Sequence, residues 1–138
     1  MSRNRIADLQ LRGSTSPLTV RVFWPGQAAP QPAPLLVFCM AGAGAGSRAA
    51  AACRSLSDDA GLVVLAVSCL AGAQDATTVL EWAAEHAAEL GADPGRLFVA
   101  GRDAGSAVAD AVASRARAAG WPAVMLLGDE YPGLASSD

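Results

Sequence analysis

The sequence contains no lysine and one histidine, His86, and aromatic residues fill only 5% of its 138 positions. Each shortage closes off a kind of chemistry. Without lysine there is no Walker-type phosphate loop, which needs an ammonium at the phosphates. With one histidine, a reaction that uses an imidazole base has a single candidate. The three cysteines, Cys39, Cys53 and Cys69, are odd in number and lack C-x-x-C spacing. They read as buried thiols of a reducing, cytoplasmic protein rather than as a disulfide framework or a zinc site, and no metal or cofactor is expected. No apolar run reaches the length of a membrane span. The segment Met1-Ser2-Arg3-Asn4-Arg5 has no apolar stretch behind it, so no signal peptide is expected there. All ten basic residues are arginine, none forms a basic run, and the net charge is −3. Nucleic acid and membrane are therefore not expected partners.

What the chain has in plenty is apolar content, at 52% of residues, enough for the core of one globular domain spanning 1–138. Ile6 to Leu11 and Leu18 to Trp24 each alternate apolar and polar residues around Gly13 to Pro17. They predict an antiparallel hairpin with one solvated face. After a Pro, Ala and Gln loop, Leu35 to Met40 is continuously apolar, as a strand covered on both faces should be. A Gly/Ala loop follows, then a helix capped by Ser47 and closed near Gly61, then a second buried strand from Leu62 to Val67. Leu70 to Gln74 reads as a loop, and Asp75 as the N-cap of a helix to Leu90, closed by Gly91 and Pro94. Val79, Trp82, Ala83, His86, Ala87 and Leu90 share one face of it. A strand at Leu97 to Ala100, a helix from Ala104 to Ala119 and a last apolar run, Ala123 to Leu127, complete the pattern. Strand and helix in alternation predict an α/β fold: a mostly parallel sheet with helices on both faces, three layers deep.

One stretch stands out for chemistry. Strand turns to helix across Gly101-Arg102-Asp103-Ala104-Gly105. This is the shape of a nucleophile elbow, Gly-x-Nu-x-Gly, in which glycines leave room for a sharp turn and the middle side chain stands at the top of the sheet. The usual occupant is serine; here it is Asp103. An aspartate just ahead of a helix is also a strong N-cap, and that is how Asp103 reads on its own. The loop Gly42-Ala43-Gly44-Ala45-Gly46 has its third glycine misplaced for dinucleotide binding, and the next strand ends in Ser68-Cys69 rather than an acid for a ribose. No base flanks Cys39 or Cys69.

From about Leu18 to Pro132 the chain resembles the N-terminal part of an α/β-hydrolase of the hormone-sensitive-lipase-like carboxylesterase family. The matching residues are Leu18-Thr19-Val20-Arg21-Val22-Phe23-Trp24-Pro25, the strand and glycine loop from Val37 to Ser47, the run from Trp82 through His86, Leu90, Asp93 and Pro94 to Arg96, the elbow, and Tyr131-Pro132. The resemblance implies a carboxylic ester hydrolase fold and a small, ester-like ligand. It also implies an oxyanion hole built from backbone N–H groups: Gly42 and Ala43, where the family carries His-Gly-Gly-Gly, and Ala104 after the elbow.

The departures bear on activity. The family's serine is replaced by Asp103, and the segment after the fourth strand is shortened to Cys69-Leu70-Ala71-Gly72. The family's acid and catalytic histidine lie beyond the sixth strand, after which this sequence stops. His86 falls mid-helix and reads as a packing or surface residue. Asp129 and Glu130 read as solvated turn residues. A carboxylate nucleophile is known on this fold in haloalkane dehalogenases and epoxide hydrolases, but its ester needs a histidine-activated water. The expectation is an incomplete, catalytically impaired α/β-hydrolase domain, a pseudoenzyme. The alternatives are a working hydrolase completed by residues of a partner chain, and a non-enzymatic interaction module. A sheet ending at Ala123 to Leu127 is expected to expose an edge through which copies of the chain associate.

Overall fold

The structure, a computed structural model, describes residues 5–12, 17–25, 33–40, 48–68, 72–101 and 104–127. Its strands are β1 (Arg5–Arg12), β2 (Pro17–Trp24), β3 (Ala33–Met40), β4 (Val63–Ser68), β5 (Ala92–Gly101) and β6 (Met125–Leu126). Its helices are α1 (Arg48–Ala60), α2 (Gly72–His86) and α3 (Ala104–Ala119). One sheet holds all six strands in the order β1-β2-β4-β3-β5-β6. β1 and β2 form the antiparallel hairpin that alternation predicts, and β2 joins β4 antiparallel. The pairs β4·β3, β3·β5 and β5·β6 are parallel. This is the mostly parallel α/β sheet expected from strand–helix alternation.

β3 runs through the centre and feeds two cores by parity. Leu35, Val37 and Cys39 point to the face covered by α2 and α3, where they meet Val79, Leu80, Ala83, Val112 and Ala116. Leu36, Phe38 and Met40 point to the other face, toward Cys53 and Leu56 of α1. The continuous apolar run is thus explained by two covered faces. Alanine dominates the buried side of α3, at positions 109, 113 and 116. Small side chains there let the helix lie close to the sheet.

Among the described residues buried polar side chains are few. Ser57, fully buried, donates its hydroxyl proton to the carbonyl of Leu62 at 2.8 Å, with Phe23 O at 3.3 Å. That bond ties the end of α1 to the strand after it. Gly61, at φ 71°, closes α1 and donates its N–H to Ser57 O at 3.0 Å. Trp24 Nε1 donates to Leu90 O at 2.9 Å and fastens β2 to the turn before β5.

Four boundaries differ from the sequence reading. α2 begins at Gly72, at φ 81°, not after Asp75. Gly72 supplies the left-handed entry, Ala73 and Gln74 are already helical, and Asp75 sits buried in the first turn, where its charge suits the helix dipole. α2 ends at His86, and Ala87–Leu90 tighten into a 3₁₀ turn capped by Gly91 at φ 76°. β5 starts at Ala92 rather than Leu97, because Ala92 pairs with Ala33 across an irregular register. β6 is confined to Met125–Leu126, and both side chains are exposed instead of doubly covered. The Ser47 cap and the tail from Gly128 lie outside the described residues.

On the hairpin's outer face Asp8 and Arg21 stand directly opposite and share two bonds, Nε–Oδ1 at 2.7 Å and Nη2–Oδ2 at 3.0 Å. The Arg21 hydrogen bond holds the Asp8 carboxyl below its usual value and raises the guanidinium. A depressed carboxylate stabilises the fold above its unfolded pKa and loses that contribution as pH falls through the lowered native value. The pair is exposed, so Asp8→Asn should lower stability by only about 0.2–1 kcal/mol at neutral pH. The gap between variant and wild type in urea melts should hold above about pH 4 and close at lower pH.

Candidate functional site

The candidate site is the junction where β5 hands over to α3. β5 runs to Gly101, whose partner on β3 is Cys39, and α3 starts at Ala104. Two residues therefore separate strand from helix. The turn must be sharp, and the structure shows what permits it. A Cβ on Gly101 would overlap the carbonyl of Gly105 and lie 2.7 Å from Cα of Ser106. A Cβ on Gly105 would overlap the carbonyl oxygen of Cys39 and lie 2.6 Å from its carbon. The first turn of α3 thus rests directly on the ends of β5 and β3. Both glycines are required by close approach of main chain to main chain. The sequence motif pointed to the turn; the contact between Gly105 and β3 was not legible, since nothing in the sequence says which strand lies beside the elbow.

Asp103 occupies the position immediately before α3, and it lies, like Arg102, outside the described residues. Gly42 and Ala43 also lie outside them, two and three residues past the end of β3. Of the three oxyanion-hole candidates, Ala104 alone is placed: it opens α3, whose first N–H groups have no partner within the helix. β3 and β5 run parallel and end side by side, Cys39 opposite Gly101. That common end is where open α/β sheets bind their ligands.

His86 is far from it. The reading of His86 as mid-helix needs correcting: it is the last residue of α2, because the helix tightens into the 3₁₀ turn behind it. α2 returns the chain from the end of β4 to the start of β5, antiparallel to both. His86 therefore sits six residues before Ala92, at the start of β5, whereas the elbow follows Gly101 at its end. β5 from Ala92 to Gly101 runs alongside β3 from Ala33 to Cys39, which sets the two ends apart by about 20 Å at ~3.3 Å per residue. The imidazole stacks on Trp82 with ring centroids 4.5 Å apart and planes at 18°. Its Nδ1 lies 2.9 Å from Trp82 O. A carbonyl can only accept, so Nδ1 carries the proton and the ring is anchored to its own helix. The direction of α2 was the sequence signal that could have located His86: a crossover helix always carries its C-terminal residues back to the start of the next parallel strand.

Cys39 and Cys53 are buried and not disulfide-bonded, Cys39 within the core under α2 and α3 and Cys53 within that under α1. Cys69, Asp129 and Glu130 lie outside the described residues. Among the described residues no group of three His, Cys, Asp or Glu side chains could hold a metal, and no helix is long and apolar enough to cross a membrane.

Comparison with known proteins agrees with this geometry. Residues 37–138 match the family model described as alpha/beta hydrolase fold. Esterase LipI of Mycobacterium tuberculosis is 31% identical over 140 residues, covering 93% of this chain and 44% of that protein. Carboxylesterase NlhH of the same organism is 42% identical over 62 residues, 45% of this chain and 19% of that one. Among solved structures, esterase LipW from Mycobacterium marinum superposes with a TM-score of 0.74 at 31% identity, over 94% of this chain and 46% of its own. A hyperthermophilic esterase from the archaeon Pyrobaculum calidifontis gives 0.73 at 28% identity, over 86% and 42%. The chain spans less than half the length of these relatives.

Overpacking a tight site costs about 1–3 kcal/mol or more. Gly101→Ala and Gly105→Ala should each lower stability by at least that much in urea melts. Gly95→Ala, where the new Cβ would meet only the Asp93 carboxylate at 3.3 Å, should change it far less.

Proposed function

The chain belongs to the alpha/beta hydrolase fold family, as its match over residues 37–138 establishes, and from that premise we propose that it carries an esterase-type elbow whose nucleophile position has become a helix cap. The observation that carries this reading is Asp103 between Gly101 and Gly105. The backbone contacts of a nucleophile elbow are kept, and the residue at its tip is one that does not run the ordinary acyl-transfer cycle. In that cycle a serine oxygen attacks the ester carbonyl, a histidine takes the serine's proton and gives it to the leaving alkoxide, and backbone N–H groups stabilise the oxyanion. In this reading the N–H groups of the last kind would come from Ala104, with Gly42 and Ala43. Asp103 supplies no hydroxyl.

A carboxylate nucleophile would still need a base to activate water against the ester it forms. The sole histidine of these 138 residues is at the other end of the sheet. Position 103 directly precedes α3 in the sequence, and a carboxylate there would accept hydrogen bonds from the first-turn N–H groups at the positive end of the helix dipole. On this reading these 138 residues carry a hydrolase-type elbow without turnover, in the sense of a pseudoenzyme. The esterase and carboxylesterase activity of the named relatives supports an ester-like small molecule as the ligand class. We place the protein in the cytoplasm, where buried cysteines such as Cys39 and Cys53 stay reduced.

Purified 138-residue chain should show no hydrolysis of short p-nitrophenyl esters above a boiled control. Asp103→Ser alone should not restore it, because no base reaches the site. Robust turnover abolished by Asp103→Ala would overturn the reading. Stability gives an independent check. Asp103→Ala should cost about 0.5–2 kcal/mol, the range for a lost N-cap. A gain in stability would mean that the carboxylate is held there at a cost, which is a mark of function.

A further inference from the structure

We draw no further inference here: the strongest candidate, the buried Asp75 carboxylate in the first turn of α2 at the elbow end of the sheet, rests on a helix N-terminus alone, since no second observation among the described residues points to a ligand there.

Discussion

Burial of β3 on both faces is the constraint on which the rest of the structure depends. Leu35, Leu36, Val37 and Phe38 are fully buried, two toward each core. At about 1.5–3 kcal/mol for each large side chain taken from water, four consecutive residues contribute more than a hydrogen bond such as that of Ser57, which nets about 0.5–1.5 kcal/mol. Their parity also sets register, because a one-residue slip would exchange the side chains of the two cores. With β3 fixed, the end of β5 beside it is fixed, and so is the point where α3 leaves the sheet.

Polar interactions trim this frame and do not carry it. Among the described residues every buried side-chain nitrogen or oxygen has a partner, and the buried polar side chains are Ser57 and Asp75. Ser57 and Trp24 work at element ends: one ties α1 to β4, the other β2 to the turn before β5. Two ion pairs lie at the surface, Asp8 with Arg21 and Asp93 with Arg96, each between partners that remain accessible to water. Such pairs steer association and guard an edge more than they hold a fold together.

The fold was legible because its signals are long and repeated. Alternation gave the hairpin, continuous apolar runs gave β3 and β4, and the alanine-rich period gave α3 with its observed bounds, Ala104–Ala119. Errors came where one residue's propensity was set against tertiary pairing. Asp75 looks like a cap, but Gly72 opens the helix three residues earlier. Pro94 looks like the end of a helix region, yet β5 already runs through it because Ala92 pairs with Ala33. Ala123 to Leu127 has the composition of an interior strand, and composition says nothing of neighbours; only two of its residues pair. The site was legible as a turn and not as a constellation. Gly101 and Gly105 can be read off the motif, whereas the distance from the elbow to His86 follows from the direction of α2 as a crossover between parallel strands, a rule of topology rather than of local pattern.

The elbow separates two kinds of inheritance. Its shape is written at Gly101 and Gly105, where any side chain collides with backbone. Its chemistry is written at position 103. Drift at the glycines is punished by loss of the whole domain, whatever the protein is used for. Drift at the tip is invisible to folding so long as the new residue can begin a helix, a task that serine and aspartate perform equally well. A lineage of this fold can therefore shed a nucleophile in one substitution without any intermediate that fails to fold. It can also keep the turn afterwards, ready to be put to another use.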